Sequence, residues 1–526
     1  MTTPKGFAKL IIVITTVSAA VMELVDTSIV NVAINTMAGS LGASVEDIAW
    51  VITSYAIANV IIIPMTSFLA ELFGRKNYYL GSMILFTVAS YMCGASSGLW
   101  ELVLWRFIQG IGGGALLSTS QSILFDAFEP KDRPMASGFF GMGLVLGPTL
   151  GPYIGGVIID QTEAWHWIFD INVPIGIVAT ILTVIFIDKK EGEVSKFGKL
   201  KVDWFGIILL TVGIGSLQFV LEKGESEDWF QSNLIVIFSL LAVIGLSGFI
   251  WWCLTAKNPI VNLKLMGNRN LAATTVFTFV AGFGLYSSVF IYPVMVQRIL
   301  GFTPTLTGQS LIPGALVGLF MMPVIGRMMS KGVSPIPFLF IGFIMFAAFC
   351  FLCSGLNGEA NANDFLIALV LRGIGISMAQ LPLVNQAARG LSPKDMPTGI
   401  ALNNMIRQLG GAFGIALANN YVSQRYAQHR NDLMSNINEG NNLFTEKLNG
   451  LTQGFIQKGS DSFTAINQAY KAIEFSVDRQ SFLLSYLDTF RMLGLFFLVV
   501  LPLIFLLQSK SKVSAKELAK AAAESH

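Results

Sequence analysis

Charge is scarce in this chain. Lys, Arg, Asp and Glu make up only 13% of its 526 residues, and the net charge is +2. With no basic block to meet a phosphate backbone, a nucleic-acid-binding domain is excluded. Histidine is scarcer still: three scattered residues form no metal constellation. A phosphate-cradling GxxxxGK[ST] loop is missing, so ATP is not the energy source, and no arrangement of residues suggests a catalytic centre. The four cysteines (Cys93, Cys253, Cys350, Cys353) all fall in apolar runs, where they read as packing residues rather than a disulfide framework; Cys350 and Cys353 have redox spacing only on paper.

What the chain has is apolar length. Hydrophobic residues account for 53% of it and mean hydropathy is +0.64, as expected for an all-α polytopic membrane protein. Apolar runs separated by Gly, Pro and charge place about fourteen spans near residues 9–31, 48–71, 78–96, 100–125, 134–158, 168–187, 203–221 and 233–254, then 270–297, 306–328, 336–355, 363–388, 397–421 and 486–507. The first span, long and with a polar tail, reads as a retained helix rather than a cleaved signal. With both termini cytoplasmic, the inner segments hold about 22 Lys and Arg against about eight outside, which supports that orientation. About six of those eight lie in residues 422–485, a stretch rich in Asn, Gln and Ser that reads as short amphipathic helices on the outer face, either a solvated cap or a docking surface.

The expected organisation is a six-helix bundle over residues 1–190, a linker with two extra spans over 191–258, and the first five helices of a second bundle over 259–421. The outer loop (422–485), the last span (486–507) and a cytoplasmic tail (508–526) follow. Internal similarity supports the two halves: LWRFIQGIGGG from Leu104 and LVLRGIGIS from Leu369 both place an arginine, Arg106 and Arg372, before Gly-Ile-Gly.

Polar residues inside apolar runs carry the function, because lipid does not tolerate them without a reason. MELVDTSIVNVA from Met22 carries Glu23, Asp26 and Asn31 in the first span, and its acids are expected to face a substrate cavity lined by Asn31 and Gln109. A proton carrier needs a buried carboxylate that loads on one side of the membrane and unloads on the other, and Asp26 is the candidate. Glu23, one helical turn earlier, either shares the proton, attracts a cationic compound, or bonds a neighbouring helix. Arg106 in the fourth span must face the interior and find an acid, for which Asp26 is the natural partner, with Gln109 one turn along to bridge them. The alternative is a static ion pair that fixes helix packing. GMGLVLGPTLGPYIGG from Gly141 sets Gly147, Gly151, Gly155 and Gly156 for close helix approach, and its Pro148 and Pro152 each delete a backbone hydrogen bond, giving a kinked, pliable interface. Arg407 is a further buried arginine. His166 and Asp170, four residues apart, form either a pH-sensitive pair or an interfacial salt bridge.

In combination and in order, these motifs resemble the major facilitator superfamily, in its fourteen-helix drug:proton antiporter branch of the EmrB/QacA type, and within it the EmrB-like multidrug export permeases. The resemblance covers residues 10 to 507 and implies the major facilitator fold: two six-helix bundles plus two extra helices between them. MELVDTSIVNVAINTMAG is similar to the family's first-helix motif, with Asn35 where proline is usual. SFLAELFGRK is similar to the cytoplasmic loop in which Gly74, Arg75 and Lys76 take part in a charge latch; Glu71 stands where the family has Asp. The glycine–proline stretch resembles the antiporter motif, which implies export. The implied activity is proton-coupled efflux of lipophilic or cationic toxic compounds across the inner membrane by alternating access, driven by the proton motive force without a bound cofactor or metal. The implied partners are the lipid bilayer, drugs and protons, together with a periplasmic EmrA-like adaptor and a TolC-type outer channel where the cell has two membranes. Export of one metabolite, siderophore or lipid is the alternative, and a scaffold acting through residues 422–485 a more distant one.

Overall fold

A computed structural model describes residues 6–506 apart from 189–201, 258, 390, 393–394, 436 and 439. The basic stretch 189–201, the side chain of Asn35 and the tail from 508 lie outside the described residues. Within them the chain is helical and contains no strand.

The first half comprises α1 (Phe7–Leu41), a one-turn α2 (Val45–Ile48), α3 (Trp50–Phe73), α4 (Arg75–Gly94), α5 (Leu99–Asp126), α6 (Arg133–Thr162), another single turn α7 (Trp167–Asp170) and α8 (Asn172–Phe186). An inserted pair follows, α9 (Trp204–Lys223) and α10 (Asn233–Thr255). The second half comprises α11 (Arg269–Arg298), α12 (Pro304–Ser330), α13 (Pro335–Cys353), α14 (Leu366–Gln386), α15 (Met396–Met434), α16 (Asn442–Gln457) and α17 (Ser462–Val500). Local chemistry sets the breaks. Thr303 and Ser334 cap α12 and α13 by accepting backbone N–H bonds, each followed by proline at the first helical position. Gly74 turns the chain between α3 and α4 at φ +83°, a conformation that disfavours residues with a Cβ.

Helix packing repeats between the halves. In the first, α1 lies on α6, α3 and α4 lie on α5, and α4 lies on α8; in the second, α11 lies on α15, α12 and α13 lie on α14, and α13 lies on α17. The halves meet mainly where α6 runs along α12 and where α3 meets α15, and α9 closes the latter seam by packing on both.

Each of the fourteen expected spans is helical, but eleven helices among the described residues are both long and apolar enough to cross a membrane. The other three expected spans lie in α4, α5 and α15, whose polar residues lower their hydropathy, so apolar length alone does not establish a count of fourteen. The stretch 422–485 also differs from expectation. It holds one short amphipathic helix, α16, and is otherwise the continuation of α15 and α17, each 39 residues long. Leu448, Ala469, Ile473 and Val477 give this projection its own small core.

Candidate functional site

Asp26 sits in α1 with no exposed surface, and three side chains converge on it. Arg106 of α5 donates from Nη1 to Oδ2 at 2.6 Å, while Gln109 of α5 and Asn172 of α8 donate to Oδ1 at 2.9 and 2.8 Å. Arg106 is itself held on several sides. Its Nε donates to the Val51 carbonyl at 3.2 Å, its Nη1 also reaches Gln109 Oε1 at 2.7 Å, and its guanidinium carbon lies 4.1 Å from the centroid of the Tyr55 ring. A carboxylate with three donors and a guanidinium with a carboxylate, a carbonyl and a π face are both satisfied without water.

Beside this network lies a cavity of about 320 Å³ between the halves, lined by α1, α3, α6, α9, α11 and α15. Its α1 wall is Leu24, Thr27, Ser28, Asn31 and Ile34. At 100° per residue that face lies on the opposite side of the helix from Asp26. The expectation that both acids face a cavity is therefore corrected: Asp26 points into the interior of the first half. Gln109, expected on the cavity wall, is fully buried in the Asp26 network instead. Asn31 does line the cavity. Tyr55 is the partition, since one side of it covers Arg106 and it also lines the cavity.

Glu23 belongs to a second polar chain that crosses between the halves. Asn59 of α3 donates to Glu23 Oε1 at 3.0 Å and accepts from Gln408 of α15 at 2.7 Å. The other oxygen of Glu23 and all three guanidinium nitrogens of Arg407 are buried without a hydrogen bond to the described residues. The two groups attract each other through space.

The remaining expected residues are dispersed. Arg75 forms an ion pair with Asp126 at the end of α5, a partner the sequence reading missed. Lys76 donates to the Val184 carbonyl at 2.9 Å, and Glu71 is exposed nearby. Gly147, Gly151 and Gly155 bring α6 against Leu24, Ser28, Ile29 and Val32 of α1, whereas Gly156 faces Pro304 of α12. Pro148 lines the cavity, and Pro152 is buried within the same unbroken helix. The His166–Asp170 pair is not formed: His166 Nδ1 bonds the Gly94 carbonyl at 2.7 Å, and no ion pair joins the two among the described residues. Arg372 is buried in the second half, with Ser288 as its hydrogen-bond acceptor. Asn59, Asn172 and Gln408 were also missed; as amides in apolar helices they carried the signal already used for Asp26.

Comparison with known proteins agrees with this architecture. The profile of the Major Facilitator Superfamily matches residues 16–415. The multidrug export protein EmrB of Escherichia coli (strain K12) is 33% identical, over 95% of this chain and 96% of its own length. The fatty acid resistance protein FarB of Neisseria gonorrhoeae is 30% identical, over 93% of this chain and 94% of its own. Among solved structures, the human organic anion transporter MFSD10 (TETRAN) superposes with a TM-score of 0.58, covering 95% of this chain and 99% of that one; at 13% identity the likeness is one of fold. A profile match of that length, with relatives aligned nearly from end to end, settles the lineage: this chain belongs to the major facilitator superfamily.

Proposed function

We propose that this protein is a proton-coupled multidrug efflux transporter of the EmrB kind, exporting lipophilic or cationic toxic compounds by alternating access. The observation that carries the proposal is the Asp26–Arg106 pair, fully buried yet separated from the cavity by a single tyrosine. Such a pair suits proton exchange, because a carboxylate left in dry surroundings without its guanidinium is stable only in neutral form. In this reading, rearrangement around Tyr55 parts the two groups, and proton uptake accompanies the change of cavity access. The near full-length likeness to EmrB and FarB supports export rather than uptake. Fourteen spans, an inner-membrane location with both termini cytoplasmic, and energy from the proton gradient complete the reading. Where the cell has two membranes, an EmrA-like adaptor and a TolC-type channel would continue the path.

The test is dye transport in inverted vesicles under an imposed pH gradient. Wild type accumulates dye, and Asp26→Asn falls to background. Undiminished gradient-driven transport in Asp26→Asn would remove Asp26 from proton coupling.

A further inference from the structure

The second half contains a buried guanidinium with no acid to answer it. Arg372 of α14 is 6% exposed. Its Nε donates to Ser288 Oγ at 3.0 Å, and its two terminal nitrogens make no hydrogen bond to the described residues. Helices α11, α12, α13 and α14 contain no Asp or Glu anywhere in their length. The titratable neighbours of Arg372 are Cys353, Tyr292 and Cys350, none of them a carboxylate. Arg407 differs, because Glu23 supplies it with an opposite charge. An ionised group buried without a counter-charge is strongly disfavoured, so the site calls for an anion from elsewhere.

The surroundings show where that anion would come from. Arg372 lines a niche of about 10 Å³, the space of a single ligand oxygen, between α6, α11, α12 and α14. Pro148 and Val289 line both this niche and the 320 Å³ cavity, so the two spaces adjoin across them. On the cavity wall at the end of α9 stand Glu222 and, in the turn just past that helix, Glu225, bonded to Gln218 and Ser423 respectively. The chamber is thus polarised, with acids around the end of α9 and a guanidinium lacking a carboxylate partner beyond Pro148. We propose that Arg372 is a specificity-determining residue that binds the carboxylate of amphipathic organic anions, whose apolar body occupies the main cavity. This rests on the efflux reading, and it assigns a substrate class different from the cationic one that reading first suggests.

Three naphthalene probes, bearing a carboxylate, a hydroxymethyl or a trimethylammonium group, separate charge from apolar bulk. Their fluorescence anisotropy is titrated against full-length protein in nanodiscs for wild type, Arg372→Gln and Arg372→Lys, with thermal unfolding of each variant as the fold control. The carboxylate probe is expected to lose roughly tenfold in affinity in Arg372→Gln, the worth of a charge-assisted hydrogen bond. Arg372→Lys, which keeps the charge but not the fork, is expected to fall between, with the other two probes unaffected in both variants. Unchanged carboxylate affinity, or an equal loss for all three probes, overturns the proposal. Should Arg372→Gln fail to fold, the same criteria apply to Arg372→Lys. Gradient-driven transport in vesicles is scored separately: its absence for every probe overturns the efflux reading, while the titration still decides the carboxylate site.

Discussion

The two halves share a packing plan but treat buried arginine in opposite ways. In the first, Arg106 is pinned by Asp26, Gln109 and the Val51 carbonyl, with Tyr55 over its face. In the second, Arg372 has one serine and Arg407 has no hydrogen bond to the described residues. The comparison teaches that the repeat conserves helix geometry, whereas charge is distributed by function. One half holds a closed ion pair, and the other presents unanswered donors near the cavity.

The largest effect that would sharpen this contrast comes from removing each arginine in turn. Arg106→Ala leaves the Asp26 carboxylate buried without its partner and is expected to destabilise by about 3–5 kcal/mol, while Arg372→Ala strands no acid and costs less than about 2 kcal/mol. Equal losses in denaturant unfolding of the purified proteins would break the comparison. Next come the close approaches. A methyl group at Gly151 of α6 overlaps mainly the Ser28 hydroxyl, which can rotate, and only touches the Ile29 backbone nitrogen at 3.0 Å, whereas one at Gly410 of α15 overlaps the backbone carbonyl of Phe279, which cannot turn away. Gly410→Ala is therefore expected to cost about 1–3 kcal/mol by overpacking, and more than Gly151→Ala, in the same unfolding assay. Giving the second half the acid it lacks is the third test. Ser288→Asp places a carboxylate against Arg372, and affinity for the carboxylate probe should fall roughly tenfold, as an internal anion competes with the ligand. The smallest effect concerns the bridge between halves: a double-mutant cycle on Asn59→Ala and Gln408→Ala should return a coupling of about 0.5–1.5 kcal/mol.

Much of the Asp26 network was legible in the sequence, because an acid and an arginine in hydrocarbon must find each other and Gln109 lies one turn from Arg106. What was not legible was direction. The same α1 segment carries Asp26 on one face and Thr27, Ser28 and Asn31 on the other, and helical periodicity separates the faces without saying which meets the cavity. Asn172 and Gln408 come from helices distant in the chain, and only tertiary packing brings them to Asp26 and to Asn59. Asp126 as the partner of Arg75 was hidden for a related reason, since it closes an apolar helix beside a charged loop that offers two other acids, Glu129 and Asp132. The 422–485 projection was misread as separate short helices because its polar composition masks the continuity of α15 and α17.

That continuity has a mechanical meaning. From Arg407 to Met434, α15 runs unbroken for about 40 Å at 1.5 Å per residue. Beyond the cavity it is clamped to α17: Arg425 and His429 both bond Asp488, and Tyr426 and Arg430 both bond Asp478. The clamped pair is a lever arm. A tilt of the second half by roughly 10°, within the range of rigid-body rotations, would sweep its tip through about 7 Å. A projection moved in this way would amplify a change in the cavity at the far end of the molecule, where a pair of spectroscopic labels could follow transport without touching the site.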